Sequence, residues 1–269
     1  MRWLDRLPGR DKPALDVKAR MAEAYDAAGR RDYAVALDIW AELAQAGVPR
    51  AQNNVGACFA EGLGVERDPA LARRWLELAA ANGDPIGQRN LASLCFKGED
   101  REPDFARAAE LYRAAAEQGD GVAQDMLSWM LIEGECIPRD VLAARRWAEA
   151  AARQGVASSM TRLGMLFHDA LGVPRDPAEA ARWWRRGAER GDADGQAMLG
   201  AALSMGTGVE RDPVAALAWL LRAQAGGSRL AAQFLGAART ALDDAGLAEA
   251  ARRAAAPPPE PASLPEIKP

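Results

Sequence analysis

Apolar residues return along this chain at helical intervals, and the whole pattern returns every 36 residues. Glycines at 47, 83, 119, 155, 191 and 227 keep the period without an insertion or deletion. They divide the chain into blocks 15–50, 51–86, 87–122, 123–158, 159–194 and 195–230. Position 22 of every block is Ala (Ala36, Ala72, Ala108, Ala144, Ala180, Ala216). Position 25 is Trp in four of them (Trp75, Trp147, Trp183, Trp219), with Ile39 and Leu111 in the others. Position 5 is Val55, Leu91, Leu127, Leu163 and Leu199 from the second block on, and Leu235 continues the series. This spacing predicts an amphipathic helix A over about positions 1–11 and a helix B over about positions 19–31.

Local signals fix the helix ends. Position 18 is always Asp (Asp32, Asp68, Asp104, Asp140, Asp176, Asp212), and Pro69, Pro177 and Pro213 follow it in three blocks. Asp as N-cap followed by Pro in the first turn starts a helix. The glycine at position 33 supplies a left-handed stop. Small residues at position 22 and at pairs such as Ala79–Ala80 let neighbouring helices approach, while the position-25 Trp is expected to fill the space between units. On that expectation Trp147→Ala costs about 3–5 kcal/mol. A fixed period in this range marks a stacked array, not one compact core. The fold class expected is all-α, a right-handed α-solenoid of two-helix repeats.

The run Ala51-Gln52-Asn53-Asn54-Val55-Gly56, then Gly62-Leu63-Gly64, Asp68-Pro69, Ala72, Trp75, Ala79-Ala80 and Gly83-Asp84, resembles the Sel1-like repeat, a relative of the tetratricopeptide repeat. The resemblance covers 51–230 as five repeats. Residues 15–50 read as a divergent, tetratricopeptide-like first repeat. Residues 231–256 read as a C-terminal capping helix pair and 257–269 as a Pro-rich, disordered tail. Residues 1–14 read as a mobile N-terminal arm.

Composition closes several routes. Apolar residues make up 49% and charged residues 27%, and the net charge is −4 with both signs interspersed. No basic block is present for a phosphate backbone, so nucleic acid is not expected. No stretch approaches the roughly 20 apolar residues of a membrane span. The N-terminus has no apolar signal core. Cys58, Cys95 and Cys136 occupy three different repeat positions, which argues for a reducing compartment and a cytoplasmic protein.

Chemistry is sparse. His168 is the single histidine, so no histidine cluster can hold a metal. Its neighbour Asp169 is expected to face another way, because adjacent helical side chains diverge. Exported relatives linked to penicillin binding or hydrolysis carry paired cysteines, which this chain lacks, as it lacks Ser-x-x-Lys. The turns Gly62-x-Gly64 and Gly206-x-Gly208 follow helices, not strands, and belong to the repeat. No catalytic, metal-binding or cofactor-binding residue is expected.

The likeness to tetratricopeptide solenoids implies that helix A lines a concave groove. With positions 1, 5, 8 and 9 inward, positions 3, 7, 10 and 11 face that groove. Block two then offers Asn53, and block three offers Arg89, Phe96 and Lys97. Block four contributes Asp125, Trp129, Ile132 and Glu133. Block five contributes Thr161, Met165 and His168. Phe96, Trp129, Ile132 and Met165 are large apolar residues on a face assigned to solvent. They form either a binding patch or a seam buried between adjacent A helices. The function expected is a monomeric, non-enzymatic adaptor holding a peptide, loop or helix of another protein. The alternatives are an inhibitor or immunity-type protein, or a binder of cell-wall fragments or small molecules with hydrolytic activity.

Overall fold

The computed structural model describes residues 16–99 and 101–260. Within them lie fourteen helices and no strand, arranged as consecutive pairs. The pairs are α1 (Val17–Gly29) with α2 (Tyr33–Gln45), α3 (Pro49–Glu61) with α4 (Pro69–Ala81), and α5 (Pro85–Lys97) with α6 (Phe105–Glu117). There follow α7 (Gly121–Glu133) with α8 (Val141–Arg153), α9 (Ala157–His168) with α10 (Pro177–Glu189), and α11 (Ala193–Met205) with α12 (Pro213–Ala225). Two shorter helices, α13 (Ala231–Thr240) and α14 (Asp244–Ala255), end the series. The readings for residues 1–14 and for most of the tail lie outside the described residues.

The repeated Asp side chains cap the B helices as their position requires. Asp68, Asp140, Asp176 and Asp212 each accept a hydrogen bond from the amide three residues on. Removing one acceptor leaves a first-turn amide without its partner, so Asp140→Ala is expected to cost about 1 kcal/mol in chemical denaturation. Each position-33 glycine is left-handed, with φ between 81° and 89°.

The A helices α3, α5, α7, α9 and α11 begin two residues earlier than the periodicity predicts. The connection from B to A is only three residues: Asn82 ends α4, Gly83 turns left-handed and Asp84 caps α5. Asp84, Asp120 and Asp192 form a second series of N-caps with the same 36-residue period. Val48 and Val156 stand at the equivalent places without a side-chain cap.

The chain divides into two compact units, Met1–Leu111 and Tyr112–Pro269. In the first, Leu37, Trp40, Leu43, Val55 and Phe59 anchor one core cluster. In the second, three clusters follow one another. Met160, Leu163 and Leu166 meet Trp183; Trp184 meets Leu199 and Trp219; Leu220 meets Leu235 and Ala250. A core assembled from neighbours in sequence is what a repeat array builds.

The expectation that position 25 fills the space between units holds at Ile39, Leu111, Trp183 and Trp219, which are buried, but not in every block. Trp75 and Trp147 are only half-buried. Trp183 and Trp219 are covered on one face by arginines, Arg186 at 4.6 Å and Arg222 at 4.8 Å from the ring centroids. The better-buried position is 26, where Trp40, Leu76, Tyr112, Ala148, Trp184 and Leu220 are all interior. Half burial lowers the expected cost of Trp147→Ala below the full-cavity range given above.

Position 6 makes room for position 26. A Cβ added at Gly56 would lie 2.8 Å from Leu76, one at Gly164 2.4 Å from Trp184, and one at Gly200 2.7 Å from Leu220. Where position 26 is the small Ala148, position 6 carries a side chain, Ser128.

A buried glutamine at position 2 ties α3, α7 and α11 each to the end of the preceding B helix. Gln52 donates to the carbonyl of Ala44, Gln124 to that of Ala116 and Gln196 to that of Ala188, at 3.2, 3.0 and 3.2 Å. These carbonyls sit in the last turn of a helix, where the helix itself offers no donor. Met160 replaces the glutamine at the start of α9. At the far end Arg222 donates to the carbonyls of Ala254 and Ala256 and so closes α14.

Candidate functional site

In the second unit, α7, α9 and α11 enclose a cavity of about 290 Å³. Trp129 and Ile132 from α7, Met165 and Leu166 from α9, and Met198 from α11 supply apolar wall. Met165 is 42% exposed, whereas Leu166 is interior. Trp129 and Ile132, both half-buried, stand beside Met165 at the opening.

The polar side of the cavity rests on a buried network. Asp125 accepts hydrogen bonds from the hydroxyls of Ser158 (2.8 Å) and Ser159 (2.5 Å). It also lies 3.4 Å from an Arg162 terminal nitrogen, with both side chains largely buried. The Thr161 hydroxyl donates to Asp192, the carboxylate that caps α11. Burial lowers the Arg162 pKa, and Asp125, Asp192 and Glu133 oppose that shift. Arginine keeps its charge under such shifts. Its Nε is buried without a hydrogen-bond partner among the described residues.

Three residues assigned to the groove surface are interior instead. Asn53, Asp125 and Thr161 are 3%, 8% and 5% exposed. Position 3 points into the joint between successive A helices, where polar side chains pair across repeats. Asn53 accepts from Asn90 at 2.8 Å, as Asp125 accepts from Ser158 and Ser159. Buried polar groups demand such partners.

The remaining assigned residues divide by unit. Trp129, Ile132, Glu133, Thr161 and Met165 share the cavity in the second unit. Asn53, Arg89, Phe96 and Lys97 belong to the first. Phe96 is half-buried and packs edge-on against Phe105, 5.2 Å between centroids, at the start of α6. Arg89 is half-buried. Lys97 is exposed and lines a shallower hollow of about 220 Å³ with Ser93, Asn90 and Ala57, its ammonium 3.5 Å from Glu99.

His168 lies outside the cavity lining. Its ring packs on Trp184 with centroids 5.3 Å apart, and its Nδ1 is buried without a hydrogen-bond partner among the described residues. Asp169 ends α9 as the C-cap residue, so its carboxylate swings to 3.9 Å from Nε2 instead of diverging. That gap exceeds a hydrogen bond. Among the described residues no three His, Cys, Asp or Glu side chains gather to hold a metal ion. All three cysteines are free, and burial pushes the Cys58 thiol up to about 11.

Arg162, Asp192, Asp194 and Met198 also line the cavity and were not among the expected residues. Asp192 was within reach of the sequence, since Asp84, Asp120 and Asp192 keep the repeat period. Arg162 left a fainter signal. From the second block on, it is the one charged residue in a series otherwise made of Asn54, Asn90, Met126 and Met198.

Sel1 repeats match residues 49–84, 85–120, 121–156, 157–192 and 193–228. No curated protein matches the sequence. A Sel1 repeat protein from Oxalobacter formigenes superposes with a TM-score of 0.78 at 24% identity, over 93% of this chain and 99% of that one. The protective antigen c5321 of uropathogenic Escherichia coli, which displays an SLR fold, gives 0.60 at 23% identity. That match spans 89% of this chain and 60% of the antigen. The immunity protein Pa5087 of Pseudomonas aeruginosa gives 0.50 at 17% identity, over 84% and 87% of the two chains. At these identities the likenesses speak for the fold. No helix among the described residues is long and apolar enough to cross a membrane. With five consecutive repeats matched and an all-helical, solenoid-like architecture, the chain belongs to the Sel1 repeat family.

Proposed function

We propose that the chain is a non-enzymatic adaptor, monomeric and cytoplasmic, that receives a segment of another protein in the cavity bounded by α7, α9 and α11. Sel1 repeat arrays generally serve protein–protein interaction, and this family membership supplies the class. The observation that carries the placement is the half-open apolar wall. Trp129, Ile132 and Met165 stand at positions 7 and 10, and the same positions in α11 hold the small residues Ala201 and Ser204. Large apolar side chains at an opening anchor partners. Free cysteines agree with a reducing compartment.

Photo-crosslinking in the native cell tests the placement. A photoreactive residue at Met165 is expected to capture one protein, and the same residue at the 60% exposed Leu142 of α8 is expected not to capture it. Adding Trp129→Ala with Ile132→Ala should remove the adduct while the helical circular dichroism stays unchanged. Equal adducts at both positions, or none at Met165, would refute the site. The immunity-protein neighbour extends the same reading to a partner that is neutralised, and the identity of the adduct separates the two.

A further inference from the structure

The charge around the cavity is one-sided. Among the described residues, Glu133, Asp192 and Asp194 line it beside one cation, Arg162. Asp125 lies 3.4 Å from that guanidinium and balances it from below. The carboxylates at the mouth are therefore left in excess. Among the described residues Glu133 makes no ion pair, and Asp194 accepts from the Ser228 hydroxyl, a neutral donor, at 2.6 Å. Asp192 holds the Thr161 hydroxyl and the Gly195 amide, again neutral donors.

The cavity, about 290 Å³, has room for one large apolar side chain and stands at the lower edge of the range of small-molecule sites. An acidic or carboxylate-terminated ligand would meet Arg162 only after passing carboxylates that repel it. A basic one meets attraction at each of them.

From these observations we infer that the occupant is a cationic segment of a partner protein, with one Leu-, Met- or Phe-sized anchor flanked by Lys or Arg. The anchor fills the space between Trp129, Ile132 and Met165. The flanking cations pair with Glu133 and Asp194 at the rim. This inference rests on the docking reading above and adds the chemistry of the partner.

A random peptide library displayed on phage, selected against the full chain, is the test. The enriched sequences are expected to carry a single large apolar residue between Lys or Arg residues. Synthesised peptides of that sequence should bind about tenfold more weakly to Glu133→Gln/Asp194→Asn, and to Met165→Ala, by fluorescence anisotropy. Their affinity should also fall as salt is raised, because rim charges are screened. Circular dichroism of each variant confirms the fold. Enriched peptides that are neutral or acidic, yet still depend on Met165, overturn the cationic partner and leave the docking site standing. Enrichment indifferent to Met165→Ala, or no enrichment, overturns the docking site itself.

Discussion

Replacing Trp184 by Ala is expected to lower unfolding stability by about 3–5 kcal/mol, the range for a buried aromatic that leaves a cavity. Trp184 is 2% exposed and joins Leu199, Leu203 and Trp219 in one cluster. Its partner in shape is Gly164, where an added Cβ would fall 2.4 Å from the indole Cδ1 and Nε1. Gly164→Ala in the native background should therefore cost about 1–3 kcal/mol by overpacking. In the Trp184→Ala background most of that cost should vanish, because the clashing ring is gone and alanine favours a helix over glycine by about 1 kcal/mol. The carbonyl of Ala180, 3.0 Å from the same Cβ, sets the remainder. Urea unfolding of the four proteins measures the coupling. Additive costs would show that the two positions do not share one space.

Asp125→Ala is expected to cost about 3 kcal/mol or more, the scale for breaking a buried charged pair. The substitution takes the nearest anion from Arg162 and the acceptor from two serine hydroxyls. Asp192 and Glu133 soften the loss, since both also favour the charged guanidinium. Pairing Asp125→Ala with Arg162→Met should restore most of the stability, because no orphaned charge is then left inside. A double variant as unstable as Asp125→Ala alone would show that the hydroxyls, and not the ion pair, dominate. Because Arg162 lines the cavity, the single variant should disturb docking along with stability.

How far the molecule was legible in its sequence follows from what repeats. The B helices, their Asp caps and the left-handed glycines were readable because each recurs six times in one register. Position 26 was not, because its residues vary from Ala148 to Trp184, while the recurrent Trp one place earlier drew the core assignment to itself. That Trp varies in burial, from the interior Trp183 and Trp219, each with an arginine over one face, to the half-buried Trp75 and Trp147. Position 3 misled for a different reason. Asn53, Asp125 and Thr161 read as groove-facing from the helical period of one helix alone, yet they find their partners only when the next A helix is laid beside them. At the candidate site, Trp129, Ile132 and Met165 stood out as departures from the repeat, and Glu133 as a charge beside them. The pairing of Asp125 with Arg162 was not, because it links different repeats at positions with no common residue type.

The glutamine at position 2 has a consequence for how such a chain grows. Its acceptor is a main-chain carbonyl, which every amino acid provides, so the joint makes no demand on the sequence of the preceding repeat. A duplicated or transplanted repeat carries its own fastening and needs no matched counterpart. The exception falls at Met160, where α9 meets α8 through an apolar side chain and the fit must be tailored. Splicing a consensus repeat before α3, α7 or α11 should therefore be tolerated, whereas the junction before α9, next to the cavity, should accept only its own neighbour.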